Sequence, residues 1–373
     1  MSQHRPTLMI STCGTSILTN KAEPSVAELL RQSANLRQQD LTPEQQQTID
    51  ARVDTCREQL RQSGTAVAVR PMSAELNGLL GYYDNQLNGS SQDQHFLMHT
   101  DTYQGTSVAE ILEAYLQSHG LNVSKLTFLD LRTDTIENFH HGIMEVIKWC
   151  EDTLPGYRQS QYQVVFNLTG GFKSIQGWMQ TLGMFYADEI VYIFESGREL
   201  IRIPRIPVAI DDGVRKTVEC HLDVFRRLAP SGSTCDLNDV KGIPEVFFYR
   251  LEDQAELSPW GKLVWERCRN EIYATKLYEP ATDGIRYADK FKKVASALAK
   301  DRLVHVNERL DDLSGFLRDG TNPKRLDFKQ LKGNPRPPST HECDAWADQA
   351  AWRIFAHFDG PTLILDDMGP GLH

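Results

Sequence analysis

The sequence predicts an α/β fold with a doubly wound parallel sheet at its N-terminal end, followed by a small connector and a C-terminal α+β segment. Short apolar runs alternate with segments of helical spacing over residues 6–206, as in sheets whose parallel strands are joined by helices. Glycine and hydroxyl clusters follow several of these runs, at the strand ends where such sheets bind ligands. Beyond residue 281, two helical segments precede three short alternating strands.

Length and composition set the class of protein. A chain of 373 residues suits two or three domains, which we place at 1–206, 207–280 and 281–373. The sequence shows neither a signal peptide nor an apolar run long enough to span a membrane. The 7 cysteines are scattered and form no C-x-x-C pair. We therefore expect a cytoplasmic protein with reduced cysteines, no membrane association and no metal.

The first strand covers residues 7–10 and leads into Ser11-Thr-Cys-Gly-Thr-Ser16. Small hydroxyl residues and glycine supply hydrogen-bond donors without bulk, which suits a loop that touches phosphate or ribose. A plain turn uses the same residues, so this cluster alone leaves both interpretations open. Residues 24–64 predict two polar helices, capped by Ser25 and Thr42. We interpret them as a long solvated hairpin, with a docking element as the alternative.

Further strands are predicted at 95–100 and 126–131, followed by helices at 107–119 and 136–154. A fifth strand at 189–194 and a proline-containing edge strand at 200–207 complete the sheet.

The fourth strand opens the most informative stretch, Gln163-Val-Val-Phe-Asn-Leu-Thr-Gly-Gly-Phe-Lys-Ser174. Its apolar run predicts a strand buried on both faces, which passes through two glycines into a helix at 174–186. Free N–H groups and a helix dipole suit phosphate there, and Lys173 adds a cation. Gly170 and Gly171 let a ligand approach the backbone or permit positive φ. The alternative is a tight turn with a solvated lysine; the spacing does not match a P-loop.

These two loops together resemble those of the CRISPR-associated Rossmann fold (CARF) family, over about residues 6–206. The resemblance implies a Rossmann-like homodimer that binds a cyclic oligoadenylate, such as cyclic tetra-adenylate, across its two-fold axis and needs no other cofactor. It assigns the ligand pocket to nine residues: Thr12, Gly14, Thr15, Ser16, Asn167, Thr169, Gly170, Gly171 and Lys173. Some members slowly cleave their activator, and Ser16 and Lys173 occupy the matching places. The polar stretch at 21–92 departs from the family and leaves the local contacts open.

Residues 207–275 predict a helix at 218–229, a strand at 246–251 and a helix that begins at Ser258-Pro259. This order resembles the winged-helix segment that often follows CARF domains. Winged helices can bind DNA, but these residues form no basic stripe, so we favour a structural connector. The basic residues lie further on: residues 284–336 hold 13 Lys and Arg against 7 Asp and Glu, an excess of six. With a total of −10, the rest of the chain carries −16. Such a segment suits a polyanion, with a solvated helix face as the alternative.

The C-terminal segment predicts helices at 287–298 and 304–317 and strands at 340–346, 352–358 and 361–366, with Asp359-Gly360 as a hairpin turn. The Gln-Leu-Lys-Gly stretch at 330–333 and the Trp-Arg-Ile-Phe-Ala-His-Phe stretch at 352–358 resemble the RelE-like toxin family. Its members are mRNA interferases that cut message in the ribosomal A site. The resemblance implies that mRNA and the ribosome are partners.

Metal-free RNA cleavage needs a base, an acid and cations for the phosphate. Lys329, Lys332 and Arg353 correspond to positive positions of the RelE family, and His341 and His357 exchange protons near neutral pH. Alternation places Arg353 and His357 on one face of their strand. A surface salt bridge for Arg353 and packed or solvated rings for the histidines are the alternatives. The acidic strand at 341–346 departs from the family, so Glu342 and Asp344 stay open as acid or base.

Two interpretations follow. In the first, the chain is a sensor-effector of type III CRISPR antiviral defence: cyclic oligoadenylate activates a ribosome-dependent mRNA endoribonuclease that inhibits translation. In the second, it is a ligand-gated transcription regulator that binds DNA through the connector. The basic excess favours the first, because it lies in 284–336 and not in 207–275. The activator's ring size and the codon preference stay open.

Overall fold

The computed structural model describes residues 5–87, 92–194, 199–333, 335–348 and 350–371. The chain divides into two compact units, 1–209 and 210–373. The connector and the C-terminal segment therefore share one unit. Among the described residues, no helix combines the length and the apolar character needed to cross a bilayer.

The N-terminal unit is built on a six-stranded sheet within its described residues. Its strands are β1 (Thr7–Thr12), β2 (Gln94–Met98), β3 (Asn122–Leu126), β4 (Gln163–Asn167), β5 (Glu189–Ile193) and β6 (Leu200–Pro204). Its helices are α1 (Ser16–Thr19), α2 (Pro24–Gln32), α3 (Pro43–Gln62), α4 (Ala66–Val69), α5 (Ala74–Tyr82), α6 (Tyr103–Ser118), α7 (Ile136–Gln159) and α8 (Lys173–Tyr186).

The strand order is β3-β2-β1-β4-β5-β6. The first five strands are parallel, and β6 is an antiparallel edge strand, as its prolines predict. All residues of β1 are buried, and so are 164–167 of β4. The predicted α/β class with a parallel sheet is confirmed. The order of connection reverses between β1 and β4, and at such a switch point the two strand ends open a crevice for a ligand.

The prediction of a solvated hairpin between β1 and β2 is wrong. Ile49, Val53, Cys56 and Leu60 of α3 belong to the core cluster that also holds residues of β1 and α5. Their spacing of three or four residues gives α3 one buried face, although Gln and Arg dominate its other faces. Thr42 caps α3 as predicted, with a capping box to Gln45. Ser25 does not cap α2, because that helix begins at Pro24 with Glu23 as the N-cap residue.

Two other boundaries differ from the prediction. β3 ends at Leu126, where the predicted strand began, and the apolar run 127–131 is a loop. Asp130 in this loop has a positive φ of 61°, which a strand does not allow. α6 begins at Tyr103 rather than 107, because the Thr102 side chain accepts the Gly105 N–H and caps the helix earlier.

The first part of the second unit is the connector. It contains α9 (Asp212–Cys220), α10 (Leu222–Leu228), β7 (Cys235–Asp236), β8 (Phe248–Leu251), β9 (Gln254–Leu257) and α11 (Pro259–Tyr273). The single helix predicted at 218–229 is two helices, and the strand predicted at 246–251 begins at 248. The β8–β9 hairpin was not predicted. Ser258 caps α11 as expected.

The second part contains β10 (Ile285–Tyr287), α12 (Asp289–Ser296), α13 (Lys300–Asp319), β11 (Lys329–Gln330), β12 (His341–Trp346), β13 (Trp352–Asp359) and β14 (Thr362–Pro370). These strands form a sheet of order β10-β14-β13-β12-β11. The two predicted helices and the three-stranded meander are present, but the hairpin turn is Gly360-Pro361 rather than Asp359-Gly360, because Asp359 still pairs with Thr362. The helix predicted from 287 begins at 289, because Tyr287 pairs with β14.

A buried polar network joins the two parts of this unit. The Arg226 guanidinium of α10 lies 2.7 Å from Asp311 of α13, and the Tyr273 hydroxyl of α11 donates to the same carboxylate. Asn307 of α13, fully buried, donates to the carbonyls of Tyr273 and Lys276 at 2.9 Å. Each polar group has its partner in the other part, so separating the two parts would leave these groups unpaired.

Candidate functional site

The loops after β1 and β4 meet at the switch point of the N-terminal sheet. A Cβ atom added to Gly14 would lie 3.1 Å from the backbone of Gly171, so the two loops touch backbone to backbone. Gly171 has a φ of 108°, which only glycine adopts easily. The structure therefore brings together the two clusters that the sequence assigned to one pocket.

The buried carboxylate of Glu75, on α5, holds these loops in place. It accepts hydrogen bonds from the Gly14 N–H at 2.8 Å and from the Ser16 and Ser73 hydroxyls at 3.1 and 2.5 Å. Only 2% of the Glu75 surface is exposed. A Cβ atom on Gly170 would lie 2.1 Å from Glu75 Oε1. Position 170 is therefore a glycine because any side chain there would collide with Glu75. The sequence suggested a different reason, the approach of a ligand to the backbone.

A second set of hydrogen bonds shapes the loop after β4. The Asn167 side-chain amide donates to the Ser11 hydroxyl at 3.1 Å and to the Glu75 carbonyl at 3.2 Å. Thr12 donates its hydroxyl to the Gly170 carbonyl at 2.5 Å. Thr12 and Asn167 are both buried. Of the nine predicted pocket residues, these two therefore serve to fix the loops rather than to face solvent.

Gly14 and Gly170 are buried as well, and the other five predicted residues form the accessible rim. Thr15, Ser16, Thr169 and Gly171 are half-buried, and Lys173 is exposed. Lys173 is the first residue of α8, whose first turn holds no acidic residue and whose N-cap, Phe172, offers no side-chain hydrogen bond. Its ammonium has no partner in the part of the chain that the structure describes. A cation at the positive end of a helix dipole is unfavourable unless an anion binds there.

Cys13, in the loop after β1, is buried. Burial raises the pKa of its thiol well above the ordinary value, and the Glu75 carboxylate raises it further. A neutral buried thiol is a poor nucleophile.

Residues 70–206 match a family model described as CRISPR-associated protein (Cas_APE2256). The match supports a CRISPR-related function for the chain. It includes Glu75, the loop after β4 and Lys173, and it ends at the predicted end of the first domain. No curated protein was found to be similar to the chain.

Glu75 is the residue of this site that sequence reasoning missed. It lies in the stretch at 21–92, which was interpreted as a polar departure, and no motif around it indicates a role. The one available signal is Ser73 followed by Glu75 at the start of an apolar helical run. That pattern predicts a helix start, but it does not predict that the helix crosses over the ends of β1 and β4.

The predicted ribonuclease residues lie on the C-terminal sheet. One face of this sheet packs on α12 and α13 and includes Cys343, Ile354 and Ala356. Because side chains alternate along a strand, Asp344, Arg353 and His357 belong to the opposite face, which we call the far face. His341 pairs in register with Ala356 and its ring stacks on Phe328 at 5.3 Å. The structure therefore separates His341 from Arg353 and His357.

The predicted cations of the far face are mostly paired. Arg353 forms an ion pair with Asp344, its cross-strand neighbour, and lies 3.4 Å from Asp327. Lys329 Nζ lies 2.5 Å from the same Asp327. Lys332 is exposed and has no partner among the described residues. Burial lowers the pKa of His341, which keeps its ring neutral.

Two further cations near this face were not predicted. The Arg336 guanidinium lies over the Phe355 ring, 4.1 Å from its centre, and 2.5 Å from Asp367. Lys290 Nζ lies 2.6 Å from Asp367. Sequence spacing gave no signal for either residue, because both reach the far face from outside the meander. Within the described ranges, no group of three or more metal-ligating side chains is present.

Proposed function

We propose that the protein is a CRISPR-associated sensor-effector in which a Rossmann-like CARF domain binds cyclic oligoadenylate and activates a RelE-like mRNA endoribonuclease. The contact between the Gly14 and Gly171 loops at the switch point carries the sensor half of the proposal. Donors from both loops and an unpaired Lys173 surround one crevice, which suits the phosphates and riboses of a nucleotide ligand. The match of residues 70–206 to a CRISPR-associated family supports this choice of ligand.

The ligand is a cyclic oligoadenylate, with cyclic tetra-adenylate as the first candidate, bound by a homodimer. A cyclic tetramer is itself symmetric, so a homodimer can contact it with the same loops from both subunits. Ser16 and Lys173 then lie at the rim, where they contact ribose or phosphate. The same two residues are the candidates for slow cleavage of the activator.

The effector half rests on the C-terminal unit. Near its far face, three side chains supply cations for a phosphate: Arg353, Arg336 and Lys290. His357 adds an imidazole ring for proton transfer. A small domain of this kind positions a phosphate but depends on the ribosome to align the 2′-hydroxyl. We therefore propose that cleavage requires mRNA held on the ribosome, with no metal ion.

The transcription-regulator alternative is disfavoured by the connector. Ten of the fifteen residues of α11 are buried, so this helix presents little surface to a DNA groove. The turn between β8 and β9, which would be the wing, carries Glu252 and Asp253. Acidic residues at that position repel the DNA backbone.

One experiment separates these functions. The full-length protein is incubated with ribosome-bound mRNA, free mRNA or duplex DNA, each with and without cyclic tetra-adenylate. We expect ligand-dependent cleavage of ribosome-bound mRNA alone. Equal cleavage of free mRNA rejects the ribosome requirement, and a ligand-dependent shift of DNA without cleavage favours the regulator. Isothermal titration with the same ligand should give one molecule per two chains; one per chain rejects the dimeric pocket.

A further inference from the structure

A hydrogen-bonded group of Ser339, Asp366 and His357 lies beside the β-bulge where β13 pairs with β14. His357 Nδ1 is 2.8 and 3.0 Å from the two carboxylate oxygens of Asp366, and the Ser339 hydroxyl donates to Asp366 Oδ2 at 2.7 Å. Ser339 and Asp366 are 2% and 8% exposed, whereas the His357 side chain is 28% exposed. The partners of the histidine are thus buried and the ring itself reaches the surface.

A β-bulge of β14 lies beside this group. Ala356 pairs with Leu365, but Phe355 pairs with Asp367, so Asp366 is the extra residue of β14. Leu365 pairs with Ala356 on the helix side, so alternation places Asp366 on the face of His357. The bulge adds Asp367, opposite Phe355, to the same face, so two carboxylates follow one another there.

The contacts define the state of the imidazole. A carboxylate accepts hydrogen bonds only, so Nδ1 of His357 carries the proton that bonds to Asp366. In the neutral ring, Nε2 then holds a lone pair. Nε2 has no hydrogen-bond partner among the described residues. In the neutral ring, the accessible Nε2 is therefore the proton acceptor.

We propose that Asp366 and Ser339 are positioning residues that hold His357 as the general base of RNA cleavage. This inference rests on the ribonuclease function proposed above and deepens it. The sequence identified His357 as a candidate but gave no partner for it, and it left the choice between His341 and His357 open. The far face assigns the role to His357, because His341 is packed on Phe328 across the sheet.

The reaction balances with the groups on this face. His357 Nε2 takes the proton of the ribose 2′-hydroxyl, and the 2′-oxygen forms a bond to the adjacent phosphorus. The bond from phosphorus to the 5′-oxygen breaks, which leaves a 2′,3′-cyclic phosphate. The departing oxygen takes a proton from water, and the hydroxide formed is neutralised by the proton that His357 then releases to solvent. Arg336, whose guanidinium lies over the ring of Phe355 two residues before His357, supplies a cation for the charge that develops on the phosphate.

The first test measures the tautomer and needs no RNA. Histidine labelled with ¹⁵N in the full-length protein reports which ring nitrogen carries the proton, and the His357→Gln variant assigns the signal. We expect the Nδ1–H form in the wild-type protein and a mixture in Asp366→Ala. An Nε2–H ring in the wild-type protein overturns the positioning role, whatever the RNA assay gives.

The second test measures cleavage of ribosome-bound mRNA in the presence of cyclic tetra-adenylate. His357→Gln should lose about 10²–10⁴-fold in rate, the usual contribution of a general base. Asp366→Ala should lose about tenfold to a hundredfold and Ser339→Ala less, while Asp253→Ala, an exposed aspartate of the connector, should act as wild type. An Asp366→Ala variant as fast as wild type overturns the inference. Absence of cleavage by the wild-type protein rejects the ribonuclease function itself, and the tautomer measurement then decides separately whether Asp366 orients His357.

Discussion

The crevice between β1 and β4 and the far face of the C-terminal sheet hold their charges in opposite ways. In the crevice, the cation Lys173 is exposed and unpaired within the described chain, and the carboxylate of Glu75 is buried behind the loops. On the far face, Arg353 and Arg336 are each paired with an aspartate. An anion can bind Lys173 in the crevice directly, whereas a phosphate on the far face must compete with the aspartates that already pair with Arg353 and Arg336.

This difference suits the two proposed tasks. A sensor must bind its ligand at low concentration, so a cation without a competing partner helps. An effector that must stay silent until it is activated benefits from cations that are already neutralised. Breaking an ion pair of this kind costs about 0.2–1 kcal/mol at the surface and more where it is buried. The variants below alter one side of the comparison at a time, from the largest expected effect to the smallest.

The largest effect is expected at Arg353. Arg353→Ala removes a cation from the proposed site, and loss of one preorganised donor typically lowers a rate about 10²–10³-fold. Binding of cyclic tetra-adenylate should not change, because Arg353 lies outside the sensor unit. Cleavage of ribosome-bound mRNA and isothermal titration measure the two properties. Arg250→Ala, an exposed arginine on β8 of the connector, is the matched control.

Asp344→Asn tests whether Arg353 acts in cleavage or only stabilises the pairing of β12 with β13. The amide keeps the size of the side chain and removes the ion pair between Arg353 and Asp344, which leaves Arg353 only the contact with Asp327 at 3.4 Å. If Arg353 serves the phosphate, the variant should cleave at least as fast as wild type. If Arg353 only ties β12 to β13, both variants lower the thermal stability and neither changes the rate of the folded protein.

The fold was more predictable than the sites, and particular residues show why. Residues 164–166 were placed correctly, and the turn between β13 and β14 was placed within one residue, because burial on both faces and turn chemistry are local properties. The run 126–131 was misplaced because its apolar residues satisfy a strand pattern. In the structure, however, Leu129 is 70% exposed and Asp130 binds Arg37 at 2.8 Å. That ion pair joins residues far apart in sequence, so no window of residues contains it.

The candidate sites depended even more on tertiary contacts. The two loops of the crevice were identified because each has its own motif. Glu75 was not, because its role arises only when α5 packs across β1 and β4. Likewise, the pairing of Arg353 with Asp344 requires the register of β12 and β13. A sequence gives the residue types on a strand but not which residue stands opposite.

The units also differ in how they bury histidine, and this predicts acid sensitivity of the N-terminal sheet. His95 of β2 is 1% exposed, and burial lowers its pKa to about 4 although Asp93 opposes the shift. An unfolded histidine titrates near 6.5, so the unfolded chain takes up the proton first as the pH falls. Stability from neutral His95 is therefore complete above about pH 6.5 and is lost toward pH 4, by roughly 3 kcal/mol.

The measurement compares thermal unfolding of the full chain between pH 7 and pH 4 in the wild-type protein and in His95→Gln. Glutamine keeps a hydrogen-bonding group near the Tyr83 hydroxyl, which lies 3.3 Å from His95 Nε2, but does not titrate. Carboxylates make both proteins less stable in acid, so the slopes matter and not the absolute values. We expect the shallower slope in His95→Gln; parallel curves would show that His95 does not contribute.

The unpaired cation of the crevice gives the next effect. Lys173→Ala should weaken binding of cyclic tetra-adenylate about tenfold to a hundredfold, because hydrogen bonds to charged oxygens contribute about 1.5–3 kcal/mol. Lys148→Ala, an exposed lysine on α7, is the control for a change of net charge. Isothermal titration at low and high salt measures both variants. Equal affinities for wild type and Lys173→Ala would reduce Lys173 to a solvated turn residue.

The smallest effect, and the one that best tests the comparison, is expected at Glu75. Its carboxylate accepts the Gly14 N–H and the Ser16 hydroxyl, two of the donors that the proposal assigns to the ligand. A phosphate that enters the crevice therefore meets a buried negative charge and competes for the same donors. Glu75→Gln removes the charge but keeps an oxygen that accepts the Gly14 N–H, while the hydroxyls of Ser16 and Ser73 can turn to accept hydrogen bonds from the new amide.

The Glu75→Gln variant should bind cyclic tetra-adenylate about tenfold more tightly, since like charges a few ångströms apart repel by roughly 1–3 kcal/mol near a protein surface. Glu75→Ala, by contrast, leaves the Gly14 N–H without its partner and should loosen the loops, with a lower melting temperature. Weaker binding by Glu75→Gln at unchanged stability would mean that the carboxylate itself contacts the ligand, through ribose hydroxyls. Both sites would then hold an acid as part of their binding surface, and the contrast between them would disappear.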